Sequence, residues 1–239
     1  MEYTIEDIHR KIAELSETEY QAFNQKLLTG IGDVAGVRLP ALRKFAGQLV
    51  KGNWRDLAGR FLECFQRGEL CHEERILWGL VIAKGAKTWE EALPFVTQYL
   101  PAMDSWALCD TFSGALQAAE STREEAWPFV LSCLKSQEEY VCRLGSVLIL
   151  NHFLEEAYLS PALKAMEERA NQDYYSNMAA AWAISLCYLK FPEETMAYLK
   201  DNGLDDWTYN KALQKICESL RLPPETKAMI RSMKRKNPR

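Results

Sequence analysis

The chain has 239 residues, 48% of them hydrophobic and 26% charged, with a formal net charge of −4. That is enough chain of ordinary composition to bury a real core. No stretch approaches the roughly 18 consecutive apolar residues of a membrane span. The N-terminus is acidic and amphipathic, unlike the basic-then-apolar pattern of a secretory signal, so a cytoplasmic location without membrane contact is expected. The seven cysteines, Cys64, Cys71, Cys109, Cys133, Cys142, Cys187 and Cys217, fit that compartment. They are odd in number, lack a C-x-x-C pair and mostly sit among apolar neighbours, where a free Cys acts as a small hydrophobe. His9, His72 and His152 are scattered, and structural zinc is not expected. The negative sum runs against a nucleic-acid binder. Distribution counts for more than the sum: acidic residues gather at helix starts such as Glu90-Glu91 and Glu124-Glu125, whereas the stretch from Lys227 to Arg239 is strongly basic.

In chain order the apolar residues recur at three- and four-residue spacing, as in Leu39, Leu42, Phe45, Ala46, Leu49 and Val50, and alternating strand-like runs are absent. The pattern predicts helices over 5–15, 17–29, 39–51, 53–66, 72–85, 88–100, 104–118, 122–135, 137–154, 160–170, 173–190, 192–200, 205–219 and 223–235. Ser16-x-x-Glu19, Thr88-x-x-Glu91, Thr122-x-x-Glu125 and Ser136-x-x-Glu139 have capping-box spacing. The prolines are expected mostly at helix starts or ends. Taken in pairs, the segments give units of about 30–40 residues, the period of two-helix solenoid repeats. The fold class expected is all-α, a right-handed superhelical solenoid of about six to seven antiparallel helix pairs with a concave groove. No linker rich in Gly, Ser or Pro divides the chain, so residues 1–239 are expected to form a single domain.

One helix of each pair in such a solenoid lines the concavity, so equivalent residues of successive repeats share one surface. Trp106 and Asp110 are four apart and share a helix face. Arg143 lies 37 positions past Trp106, and Trp182 lies 39 past Arg143, each about one repeat. Regular repeats would set all four side by side on the concave face. Each also has a structural explanation: the indoles as core residues, and Arg143 with Asp110 as an inter-helix ion pair.

The sequence resembles the AlkD-like DNA alkylation repair family over nearly its whole length. The resemblance rests on Gly36-Val37-Arg38-Leu39-Pro40-x-x-Arg43-Lys44, on Ser105-Trp106-x-x-x-Asp110, on Tyr140-Val141-x-Arg143, on Ala180-Ala181-Trp182-Ala183, and on the run from Trp207 to Lys215. Ala107 departs from the acidic residue often found after the first Trp. The resemblance implies a HEAT-like-repeat DNA glycosylase acting on N3- and N7-alkylated purines in duplex DNA, without a deep pocket enclosing a flipped base. Its catalytic set would be Trp106, Asp110, Arg143 and Trp182, with no metal or cofactor. Asp110 would face the cationic sugar and position water, the indole faces would attract positive charge, and Arg143 would hold a phosphate or pair with Asp110. Arg38, Arg43, Lys44, Lys211 and Lys215 are candidate phosphate contacts, with Arg235 and Lys236 beyond them. The protein is expected to act as a monomer on double-stranded DNA containing alkylated purines. The alternatives are a non-catalytic helical-repeat nucleic-acid-binding protein and a peptide-binding solenoid with both indoles in its core.

Overall fold

The computed structural model describes residues 3–28 and 30–236. Among them there are fifteen α-helices, one 3₁₀ turn at Leu100–Ala102 and no strand. The chain packs as two compact units, Met1–Glu125 and Ala126–Arg239. No described helix is long and apolar enough to cross a membrane.

In the first unit the helices are α1 (Ile5–Leu15), α2 (Thr18–Leu27), α3 (Leu39–Leu49), α4 (Trp54–Gln66), α5 (His72–Gly85), α6 (Trp89–Tyr99), α7 (Trp106–Ala115) and the short α8 (Gln117–Ser121). Helix α5 is the centre of this unit. Eleven of its fourteen residues are buried, including Leu77, Trp78, Leu80, Val81 and Ile82. A helix apolar on every side must be surrounded, and α3, α4, α6 and α7 all pack against it. Trp78, Tyr99 and Phe112 join α5, α6 and α7 through ring centroids 5.0 and 5.1 Å apart, an edge-rich geometry that aromatic quadrupoles favour.

Helix α9 (Arg123–Leu134) begins in the first unit and continues into the second. It is followed by α10 (Glu139–His152), α11 (Glu156–Glu167), α12 (Tyr174–Lys190), α13 (Pro192–Lys200), α14 (Asp206–Glu218) and α15 (Pro224–Ser232). Here α10, α12 and α14 pack in succession, with Ala179, Ala180, Ala181, Ala183 and Ile184 fully buried. The alanines let neighbouring helices approach closely, and α13 and α15 cover α12 and α14.

The expected helices are present, with four corrections. The segment expected as 104–118 breaks at Leu116, whose ψ of 70° leaves the helical region, and α8 follows as a separate turn and a half. The segment expected at 160–170 is α11 over Glu156–Glu167. Its Pro161 lies inside the helix, as do Pro94 in α6 and Pro128 in α9. All three prolines are exposed, so water can satisfy the carbonyl that each leaves unpaired. Third, Ser16 does not cap α2, whose N-cap is Glu17. Fourth, Ser136 does not cap α10, because Glu138 is the N-cap and the Glu139 carboxylate accepts the Tyr175 amide instead. Position 29, the expected end of the second helix, lies outside the described residues.

The proline helices also expose an internal repeat. Glu90-Glu91-Ala92-x-Pro94-Phe95-Val96 in α6 recurs as Glu124-Glu125-Ala126-x-Pro128-Phe129-Val130 in α9. In both copies the Ala and Val are buried and the Pro exposed.

Candidate active site

Of the four nominated catalytic residues, Trp106 and Asp110 share one cleft in the first unit, whereas Arg143 and Trp182 lie on α10 and α12 in the second. In the first unit, the Ser105 hydroxyl accepts the Leu108 amide at 3.4 Å and starts α7. That cap places Trp106 at the first helical position and Asp110 one turn later. Leu108, Cys109 and Phe112 point into the core, which leaves Trp106 and Asp110 half-buried on the opposite side. Both line a cleft of about 260 Å³ whose wall also includes Tyr20, Leu39, Leu42, Arg43, His72, Glu73 and Ile76. A carboxylate, an indole and a guanidinium therefore share one opening between α2, α3, α5 and α7.

The floor of that cleft is built by a residue that sequence reasoning missed. Glu73 is 1% exposed. Its carboxylate accepts the backbone amides of Ala35 and Gly36 at 2.7 Å each and of Val37 at 3.2 Å. These bonds fix the loop that delivers Arg38, Leu39 and Pro40 to the start of α3. Gly36 is required there: its φ is +85°, and a Cβ would lie 2.6 Å from that of Gln21. The Glu73 signal was invisible because its partners are amides some 36 residues earlier. Beside it, His72 is 1% exposed and neither ring nitrogen has a hydrogen-bond partner. Burial pulls its pKa below the ordinary 6.5, against the opposing pull of Glu73.

In the second unit, Arg143 on α10 is 5% exposed and donates from Nη1 to the Tyr175 carbonyl at 2.9 Å. Trp182 on α12 is half-buried, and its carbonyl accepts the Ser185 hydroxyl at 2.7 Å. Ala181, Ile184, Ser185 and Tyr188 form a buried face of α12, and Trp182 lies off it, in a half-buried row with Tyr175, Met178 and Leu186. Neither Trp106 nor Trp182 belongs to the fully buried core, in contrast to Trp54, Trp78 and Trp89.

The nominated cations divide by environment. Arg38 is ion-paired with Glu17 at 2.9 Å and lies over the Tyr20 ring. Arg43 lines the Trp106–Asp110 cleft, whereas Lys44, one position on, turns into a different groove with Tyr3, Asp7 and Gln48. Lys211 sits over the Trp207 ring at 5.5 Å and donates to Gln214; Lys215 is half-exposed one turn later. Arg235 is held internally. It donates to the Leu204 carbonyl at 2.6 Å, to Asp206 at 3.1 Å and to Asn202, and lies over Tyr209.

No cysteine lines the Trp106–Asp110 cleft among the described residues. Burial pushes both Cys71 and Cys187 up to about 12, which keeps them protonated. Among the described residues no three His, Cys, Asp or Glu side chains gather where a metal ion could be held.

The sequence model of the family described as DNA alkylation repair enzyme matches the chain over residues 8–216. The chain belongs to that family. The match takes in α3, α7, α10 and α12, and so all four nominated catalytic residues, together with Lys211 and Lys215. Comparison with curated proteins and with solved structures gave no match. The enzyme is thus placed in DNA repair by its family, and its particular chemistry is left to its residues.

Proposed function

We propose that this member of the family is a DNA glycosylase that hydrolyses the N-glycosidic bond of N3- and N7-alkylated purines in duplex DNA. It acts as a monomer, without metal or cofactor, and the helix pairs of residues 1–239 form one right-handed solenoid domain with a concave DNA groove. The observation that carries this reading is the cleft that Asp110 shares with Trp106 and Arg43. At about 260 Å³ it is smaller than the roughly 300–1,000 Å³ of an enclosing ligand pocket, which suits action on a base that is not swallowed.

An alkylated purine already carries positive charge, so the electrons of the C1′–N bond leave with the base and neutralise it. The deoxyribose becomes oxocarbenium-like. The Asp110 carboxylate stabilises that cation and orients the water whose oxygen bonds to C1′, and the water's proton passes to the carboxylate or to solvent. The products are the free base and an abasic site. The faces of Trp106 and Trp182 attract the positive charge, each contributing roughly 0.5–2 kcal/mol. Arg143, which donates to the Tyr175 carbonyl, engages the phosphate beside the lesion or Asp110. Arg38, Arg43, Lys44, Lys211 and Lys215 contact phosphates.

Single-turnover excision with saturating protein tests the role of Asp110. Asp110→Asn keeps the helical circular-dichroism spectrum and loses about 10²-fold or more in rate, the scale of removing one preorganised electrostatic group. Equal rates for the variant and parent would overturn the assignment.

A further inference from the structure

The first unit treats its arginines unevenly. Arg10, Arg38, Arg55, Arg60, Arg67, Arg75 and Arg123 each form an ion pair with a carboxylate. Among the described residues, Arg43 forms none. It also lines a second depression, separate from the Trp106–Asp110 cleft, a trough of about 450 Å³. Lys84 at the end of α5 and Lys87 just beyond it line the same trough, together with Gly47 of α3 and Gln117. Neither ammonium group has a carboxylate partner among the described residues, although the Lys87 backbone amide donates to the Glu91 carboxylate at 2.9 Å. The remaining lining is aliphatic or small, so three cations share a depression with no acidic and no aromatic side chain in its wall.

A chain of net charge −4 that pairs seven arginines of this unit has carboxylates to offer, yet none faces this trough. Like charges gathered on three segments repel one another, and the fold gains nothing from holding them together. Helix-end capping explains part of the arrangement: Lys84 lies in the last turn of α5, and the Lys87 Nζ donates to the Lys84 carbonyl at 3.1 Å. It does not explain Arg43, which comes from the middle of α3, or the glycine beside it. Gly47 sits inside a helix, half-exposed, and a Cβ there would meet nothing within 4 Å. No packing neighbour requires it, but its bare backbone lets a bulky linear ligand lie close against α3.

We infer that this trough is a docking surface for the sugar–phosphate backbone of duplex DNA, with Lys84 and Lys87 as phosphate contacts beyond those of the proposed active site. The inference rests on DNA being the partner of that site. Three cations with no carboxylate fit a run of phosphates. The missing aromatic ring disfavours unpaired bases, which need faces to stack on. Arg43 lines both openings and would join the trough to the cleft that holds Asp110.

The test measures binding of undamaged duplex DNA against salt, which needs no base release. Each lost phosphate contact lowers the slope of log K against log[salt] by about 0.9. The double variant Lys84→Gln/Lys87→Gln is expected to lower it by about 1.8 and to weaken binding whatever the sequence. Gly47→Glu, which sets a carboxylate in the trough without removing a cation, weakens binding in the same direction. Lys11→Gln, on α1 and paired with Glu14, leaves the slope unchanged. An unchanged slope in the double variant overturns the inference, and so does lysine-dependent binding of RNA hairpins with none of duplex DNA. Loss of slope in a protein that releases no base would leave the trough standing and remove the glycosylase reading instead.

Discussion

Arg43 in the first unit and Arg169 in the second show how differently the two halves use a guanidinium. Arg43 has no ion pair among the described residues and lines two openings. The Arg169 side chain is fully buried and donates to Asn177, Gln172, Asp205 and Thr208 and to the Met166 carbonyl. It ties the end of α11 to α12 and α14. Arg235 repeats the pattern by fastening the C-terminal stretch to α14. The contrast teaches that positive charge in the sequence does not announce its use: the second unit uses Arg169 and Arg235 as cross-braces, and the first leaves Arg43 without an ion pair among the described residues, beside the proposed carboxylate.

The comparison breaks most readily at Arg169. Replacing it by Ala leaves Asp205, Asn177 and Thr208 without their common donor. Because Asp205 is partly exposed, the loss is expected near the low end for a buried pair, about 3 kcal/mol. Urea unfolding checks it, and Arg43→Ala, with no internal partner to orphan, leaves the midpoint almost unchanged. A smaller loss, roughly 1–3 kcal/mol, is expected for Gly36→Ala, where a positive φ and the nearby Gln21 both resist a Cβ. Amide exchange at Ala35, Gly36 and Val37 should rise in that variant, because the bonds to Glu73 loosen.

The smallest expected effect concerns His72. Its folded pKa lies below the ordinary 6.5, so between those two values the unfolded chain binds a proton that the folded chain does not. The stability it contributes is present above about pH 6.5 and is lost as pH falls from there toward the folded pKa. Thermal unfolding between pH 7.5 and 5.5 reads this slope, and His72→Phe flattens it. Glu73, Arg75 and Asp104 face the same ring and are unchanged in that variant.

Most of the helices were legible in the sequence because their periodicity is long and regular, α3 and α14 above all. The misreadings came from local signals that tertiary structure overrode. Pro161 reads as a helix start, yet the helix runs through it because its free carbonyl side faces water. Ser136 and Glu139 have capping-box spacing, yet Glu139 turns to the amide of Tyr175 on α12. The pairing of Trp106 with Asp110 followed from a four-residue spacing, and their shared cleft agrees with it. Glu73, Arg169 and the Lys84–Lys87 trough could not be read, since each depends on groups far away in sequence. His72 was noticed only as one of three scattered histidines.

The central claim is that this chain breaks the glycosidic bond of alkylated purines, and release of free base from methylated duplex DNA by the purified protein tests it most directly. The account predicts that 7-methylguanine and 3-methyladenine appear in solution and that abasic sites accumulate in equal amount. Duplex bound in a salt-dependent manner, with every methylated base still attached, would contradict it and leave a repair-family protein that binds DNA without cutting that bond.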